Sequence, residues 1–98
     1  MELNFMKTKK ERLTLTLPDS KKLTLNPPKY KTLKKFSILD ENATNEDIQN
    51  VVTEILNMNT EGREFTPEDV ESLFDLADIY ALMAGYTEYL SKLINQKN

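Results

Sequence analysis

The stretch Thr66–Ile94 constrains the fold of this 98-residue chain more than any other part of it. Its beginning has the residues of a helix start. The Thr66 hydroxyl can accept a hydrogen bond from a first-turn amide, and Pro67 follows where a missing N–H costs nothing. Asp69 is placed to complete a capping box with Thr66, and its charge suits the positive end of the helix dipole. The sequence therefore predicts a helix that begins at Pro67.

Further along, the segment Ile79–Tyr86 (IYALMAGY) is apolar on every side of a helix. A helix that is apolar all round is buried all round, and a chain of this length has little material to surround it. The sequence therefore predicts that other copies of the chain, or a partner, cover this segment. The residues that we expect at the contact are Ile79, Tyr80, Leu82, Met83, Tyr86 and Tyr89.

The same stretch allows two forms. It is either one continuous helix or two helices with a bend, because Asp75 and Asp78 have the spacing of a second capping pair. If the helix is continuous, Glu71 shares one face with these two residues. Three such carboxylates could bind a hard cation or act in acid–base chemistry. Since no convergent partner or nucleophile is identifiable nearby, we interpret them as solvated or as docking groups for lysines, and predict no metal or catalytic site.

The composition excludes several kinds of chemistry. The chain has no cysteine and no histidine, which removes thiolate ligands, a cysteine nucleophile and the commonest general base. Two glycines are too few for a phosphate-binding loop. We therefore expect no enzyme activity and no cofactor. The apolar run is far shorter than the ~20 residues of a membrane span, and the first residues lack a secretory signal pattern, so we expect a cytoplasmic protein.

Charge is unevenly distributed along the chain. Residues 1–36 contain ten Lys or Arg and three Asp or Glu, whereas residues 37–98 contain three and thirteen. The net charge of −3 therefore conceals a basic third and an acidic remainder. This distribution makes it possible for an acidic face of one copy to dock on the lysines of another.

The N-terminal third has the pattern of a β-hairpin after a mobile arm over residues 1–11, which lack periodicity. Apolar and polar residues alternate over 12–17, turn residues follow over 18–21, and the alternation resumes over 22–25. An isolated hairpin is marginal in water. Its leucine face therefore needs a helix, and its open edges invite another strand.

Two more helices are predicted before the C-terminal stretch. The first begins near Pro28 and carries Tyr30, Leu33 and Phe36 inward. The second runs from about Asn45 to Met58, after a capping box formed by Thr44 and Asp47. Its predicted stop consists of Asn57, Asn59 and Gly62. The fold class is therefore α+β, an N-terminal β-hairpin followed by three or four helices, the C-terminal one long. Residues 12–98 are expected to form a single domain.

This order of elements resembles a known family, the tail assembly chaperones of long-tailed (siphovirus-type) bacteriophages. The similar parts are the hairpin RLTLTLPDSKKLTL, the proline-led helix PPKYKTLKKF, the amphipathic helix, and EFTPEDVESLFDLADIYALMAGYTEYLSKL. The similarity covers about residues 12–94. Family members often carry Asp-Gly-Lys at the hairpin turn, where this chain has Asp19-Ser20-Lys21.

The resemblance implies a non-catalytic, late protein of virion morphogenesis. Such chaperones self-associate and bind the tape measure protein, keeping its apolar faces from aggregating until the tail tube protein polymerises around it. The implied partners are a second copy and the tape measure protein, with the major tail protein as a further candidate. The implied location is the cytoplasm of the infected bacterium, and the mature virion lacks the protein.

Two other functions stay open. The lysines of the first third could neutralise phosphates, with Tyr30 or Phe36 stacked on bases, which would make the chain a small nucleic-acid-binding regulator. Because the aromatic residues are predicted on the apolar face and no nucleic-acid-binding motif is present, we interpret the lysines as solvated. An antitoxin-like or adaptor module would share the self-association and need a different partner.

Overall fold

A computed structural model describes residues 1–7 and 10–95 of the chain. After a single 3₁₀ turn at Phe5–Lys7, the elements are β1 (Leu13–Thr16), β2 (Lys22–Leu25), α1 (Tyr30–Ser37), α2 (Asn45–Leu56), α3 (Pro67–Leu73) and α4 (Leu76–Ile94). The predicted α+β fold is confirmed, with an antiparallel hairpin, four α-helices in the described part of the chain, and the last helix the longest. Part of the predicted arm (residues 8 and 9) and the last three residues of the chain lie outside the described residues.

The leucines of both strands share the face of the hairpin that packs into the core, as the alternation predicts. Leu23 and Leu25 on β2 are fully buried. Leu15 lies opposite Leu23 and Leu13 lies opposite Leu25, and these two β1 leucines are half-buried. The hairpin therefore contributes more to the core through β2 than through β1.

The two edges of this sheet differ. The segment after α2 covers the outer edge of β2: the Thr60 amide donates to the Thr24 carbonyl (2.9 Å), and the Glu61 carboxylate accepts from the Thr24 amide (3.0 Å). The bond from the Thr24 amide lowers the pKa of the Glu61 carboxyl below its ordinary value. Thr14, opposite Thr24, directs its backbone groups to the other edge, where no described residue pairs with them. The predicted open edge is therefore present on the β1 side alone.

The hairpin turn places Ser20 in an unusual backbone conformation. Its φ angle is 70°, in the left-handed region that favours glycine. The Ser20 amide donates to the Leu17 carbonyl (2.8 Å), and the Leu17 amide donates to the Lys21 carbonyl (2.9 Å). Asp19 steadies the loop by accepting from the Lys21 amide (3.0 Å). This is a three-residue hairpin loop in which a type I turn is followed by a left-handed residue.

Ser20→Gly is therefore expected to raise the free energy of unfolding by about 0.5–1 kcal/mol, because glycine adopts this φ angle without the side-chain clash of serine. Urea unfolding followed by far-UV circular dichroism measures the effect. Ser91→Gly is the control, because Ser91 lies inside α4 and glycine there lowers stability by about 0.5 kcal/mol. A loss of stability in Ser20→Gly would show that the left-handed turn is not formed in solution.

Two of the three α1 residues that were predicted to point inward, Leu33 and Phe36, pack against the core, and the third does not. Tyr30 is 76% exposed, so the prediction that it points inward is wrong. Thr32 is buried instead, and its hydroxyl donates to the Glu54 carboxylate on α2 (2.8 Å). Lys35 forms an ion pair with the same carboxylate (3.0 Å). These two bonds turn the helix so that Thr32 faces α2, which places Tyr30 on the solvent side.

α3 and α4 are separate helices, so the form with a bend is the one present. The predicted capping box at the start of α3 is confirmed, with the Thr66 hydroxyl accepting from the Asp69 amide (3.1 Å). After α3 the chain becomes extended at Phe74 (φ −107°, ψ 136°). The Asp75 carboxylate then accepts from the Asp78 amide (2.8 Å), and the Asp78 carboxylate accepts from the Asp75 amide (3.0 Å). This second capping box begins α4.

The core lies between the leucine face of the hairpin and the inner faces of the helices. α2, which begins at a capping box formed by Thr44 and Asp47 as predicted, contributes as many buried apolar residues as α4. The buried apolar residues are Leu17, Leu23, Leu25, Val51, Val52, Ile55, Leu56, Phe65, Val70, Leu82, Tyr86, Tyr89 and Leu90. None of the helices within residues 1–7 and 10–95 has the length and apolar character needed to span a membrane.

Candidate protein-binding surfaces

α4 buries one side and exposes the other. Its inner side enters the core through Leu82, Tyr86, Tyr89 and Leu90. On the opposite side Leu76 is 67% exposed and Tyr80 is 66% exposed. The outer face of α4 consists of Leu76, Ala77, Tyr80, Ala81 and Ala84, all of them exposed. This face is apolar and uncharged over more than two turns of the helix.

The structure divides the six residues that were expected at a protein contact. Tyr80 is exposed, and Ile79 and Met83 are half-buried. The other three are 9%, 1% and 6% exposed and lie in the core, so in this fold they offer no contact surface; they are Leu82, Tyr86 and Tyr89. It remains a prediction that a partner contacts Tyr80, Ile79 and Met83.

The expectation that one subunit cannot cover this helix is wrong for its inner side. The Phe36 ring of α1 packs edge-on against Tyr86, with ring centroids 5.2 Å apart. The Tyr89 hydroxyl donates to the carbonyl of Glu11, just before β1. On the outer side, the residues that made the run apolar are mostly alanine and glycine, which expose little apolar surface. The protomer therefore covers one side of α4 and leaves the outer face uncovered, with Leu76 and Tyr80 as its large exposed side chains.

Tyr86 is the largest fully buried side chain of the protein. Its ring contacts Phe36 and lies 5.8 Å from the ring of Tyr89. No described residue forms a hydrogen bond with its hydroxyl. Burial, and to a lesser degree Tyr89, raises the pKa of Tyr86 above its ordinary value. The group has no proton acceptor, so its role in this structure is packing.

Tyr86→Phe is expected to leave the free energy of unfolding unchanged or to raise it by up to about 1 kcal/mol, because it removes a buried hydroxyl that lacks a partner. Tyr89→Phe is the matched control. It removes a hydroxyl that donates to the Glu11 carbonyl and is expected to lower stability by about 1 kcal/mol. Thermal and urea unfolding of both variants provide the comparison. Equal losses in the two variants would mean that the Tyr86 hydroxyl is bonded in solution.

The carboxylates of Glu71, Asp75 and Asp78, which were considered as a cation-binding or acid–base site, do not share one face in the structure. The bend between α3 and α4 removes the continuous helix on which their common face depended. Asp75 and Asp78 cap α4, whereas Glu71 belongs to α3 and lies 3.4 Å from the side-chain amide nitrogen of Gln49. Within the described ranges, no three acidic side chains are grouped as metal ligands.

A second exposed surface lies on α1, and the sequence analysis did not predict it. Tyr30, Lys34 and Ile38 follow one another at four-residue spacing, which places them along one stripe of a helix and its C-cap. Tyr30 and Ile38 are 76% and 75% exposed, and the Lys34 ammonium lies 6.0 Å from the centre of the Tyr30 ring. Together with Lys31 these residues line a shallow depression. They form the outer face of α1, in which the exposed apolar side chains of Tyr30 and Ile38 lie on either side of Lys34.

These two faces hold most of the large apolar side chains that the structure exposes outside the N-terminal segment. The chain matches no protein-family model, no curated protein and no solved structure. Its function is therefore argued from the two faces and from the order of elements.

Proposed function

We propose that this protein is a non-enzymatic tail assembly chaperone of a long-tailed bacteriophage, which self-associates and binds the tape measure protein. The observation that carries the proposal is the outer face of α4, an exposed, apolar and uncharged helix surface with Tyr80 at its centre. The resemblance in element order supports the same function. In this proposal the protein acts as a late protein in the cytoplasm of the infected host and is absent from the mature virion, and the major tail protein is a further partner.

A helix surface of this composition suits an amphipathic helix as its ligand. Ala77, Ala81 and Ala84 are small, so the backbone of a second helix can approach α4 closely, since the distance between packed helices is set by the side chains at the contact. Tyr80 supplies an exposed aromatic anchor of the kind enriched in protein interfaces. The tape measure protein, a long helical chain with apolar faces, would bind by laying one of those faces on this surface.

Co-purification with fragments of the tape measure protein tests the proposal. The wild-type protein is expected to retain at least one helical fragment, and Tyr80→Glu is expected to lose it because a charge then lies at the centre of the apolar face. Tyr30→Glu is the matched control, since Tyr30 is similarly exposed on another helix and its replacement leaves α4 intact. Retention by Tyr80→Glu, or no retention of any fragment by the wild type, would contradict the proposal.

A small nucleic-acid-binding regulator is the second candidate, and the exposure of Tyr30 beside Lys34 favours it. In this function Tyr30 would stack on a base while the neighbouring lysines bind phosphates. Binding of labelled oligonucleotides would then weaken steeply as salt rises and would fall in Tyr30→Ala. A protein that is not retained on heparin at low salt lacks this function.

A further inference from the structure

The outer face of α1 is basic as well as apolar. Its sequence, YKTLKKFS, contains no acidic residue. Glu54 neutralises Lys35, whereas Lys31 and Lys34 form no ion pair within the described residues and stand beside Tyr30 and Ile38. A ligand of this face would need apolar side chains with negative charge beside them.

The start of α4 has these properties. Leu76 and Tyr80 are exposed there, next to the carboxylates of Asp75 and Asp78, and the sequence has no lysine or arginine from residue 66 to residue 91. Each of the two carboxylates uses one oxygen to cap the helix. The other oxygen of each is not hydrogen-bonded to any part of the chain that the structure describes, so it is available to a cation from outside.

We propose that the outer face of α1 in one copy docks on the start of α4 in a second copy. Tyr30 and Ile38 would cover Leu76 and Tyr80, and the two lysines would reach the free carboxylate oxygens. The inference rests on the proposed function and deepens it, because it names the surfaces through which the protein associates with itself. Tyr80 belongs to both proposed contacts, so a second copy and the tape measure protein would occupy the start of α4 in turn and not together.

Charge favours the pairing of α1 in one copy with the start of α4 in another over contact between two like faces. Contact between two α1 faces would bring lysines against lysines, and contact between two α4 starts would bring carboxylates against carboxylates, both of which are unfavourable. Only the pairing of unlike faces brings opposite charges together. Because the two faces differ, two copies either pair reciprocally in a closed two-fold dimer or repeat one contact per copy as a ring or an open helical array.

Light scattering coupled to size-exclusion chromatography at low salt tests the inference. The wild type is expected to be larger than a monomer at tens of micromolar, and its size should fall as salt screens the contact. Lys31→Glu/Lys34→Glu is expected to weaken association at least about tenfold, which corresponds to about 1.4 kcal/mol. Tyr80→Lys is expected to weaken it similarly. An equimolar mixture of the two variants should form pairs again, since the intact α1 face of Tyr80→Lys then meets the intact α4 start of Lys31→Glu/Lys34→Glu.

Lys21→Glu/Lys22→Glu is the matched control, because it changes the net charge equally on the exposed hairpin and should assemble like the wild type. A strictly monomeric wild type, normal assembly of Lys31→Glu/Lys34→Glu, or no assembly of the mixture would overturn the inference.

Binding of the tape measure fragment distinguishes a failure of this inference from a failure of the proposed function. Lys31→Glu/Lys34→Glu should still retain the fragment, because its α4 is intact. If no fragment binds but the mixture of variants assembles, the proposed function fails and the inference stands. If the fragment binds and charge reversal leaves assembly unchanged, the inference fails and the proposed function stands.

Discussion

Leu23→Ala is expected to lower the free energy of unfolding by about 2–5 kcal/mol. Leu23 lies at the centre of β2 and is fully buried, and the covered edge of β2 holds the strand in place, so the surrounding residues cannot close the cavity. The total free energy of unfolding of a domain of this size is about 5–15 kcal/mol. The substitution therefore removes a large share of the stability, which urea unfolding followed by circular dichroism measures.

Leu15→Ala is the matched control for this prediction. Leu15 lies directly opposite Leu23 on the same face of the sheet, but it is half-buried at the open edge. It is therefore expected to lose less than half as much stability as Leu23→Ala. Equal losses would mean that the open edge of β1 is covered in solution.

Asn59→Ala is expected to lower the free energy of unfolding by about 2–6 kcal/mol, from four hydrogen bonds worth about 0.5–1.5 kcal/mol each. The side-chain amide of Asn59 donates to the carbonyls of Leu56 (2.9 Å) and Arg63 (2.6 Å). Its oxygen accepts from the amides of Glu61 (3.1 Å) and Arg63 (3.0 Å). Without these bonds, the loop that covers the outer edge of β2 loses its internal support.

Asn50→Ala separates this effect from a general effect of losing an asparagine. Asn50 is exposed on α2, where alanine is the better helix former, so its replacement is expected to change stability by less than about 0.5 kcal/mol. Asn59→Asp adds a second test, because it keeps the oxygen acceptor and replaces the two donors by a negative charge next to two carbonyls. If Asn59→Asp is as stable as the wild type, the donated bonds contribute little.

The sequence predicts best what depends on neighbouring residues. Capping boxes depend on residues three positions apart, and those at Thr44, Thr66 and Asp75 are all formed. The alternation of the hairpin leucines likewise predicts their common buried face. The turn is a partial case, because the residues over 18–21 predict a turn but do not predict that Ser20 takes its left-handed position.

Contacts between distant residues were not predictable in the same way. Asn57 and Asn59 were correctly expected to end α2, but not to hold the loop after it. The side chain of Asn57 donates to the Phe65 carbonyl (2.9 Å) and accepts from the Phe65 amide (2.8 Å), as a paired strand would. The ion pair between Arg63 and Asp19 (2.8 Å) joins this loop to the hairpin turn. A propensity for turns does not reveal which distant backbone a turn residue binds.

The candidate surface on α4 was likewise predictable only in part. Periodicity identified the apolar helix over 79–86, but it could not show which side of that helix the protomer covers. The answer depends on Phe36, which reaches Tyr86 from another helix, and on the small size of Ala81 and Ala84. The exposure of Tyr30 likewise depends on the bond between Thr32 and Glu54, which joins residues of different elements.

Because the two edges of the sheet differ, they also differ in their ability to pair with a further strand. The outward backbone groups of Thr24 on β2 are already engaged by the loop after α2, whereas those of Thr14 and Thr16 on β1 pair with no described residue. Along β1, amide hydrogens should therefore exchange with deuterated solvent quickly at the threonines and slowly at the leucines between them. Any third strand would have to join beside β1, so the sheet can be extended from one side only.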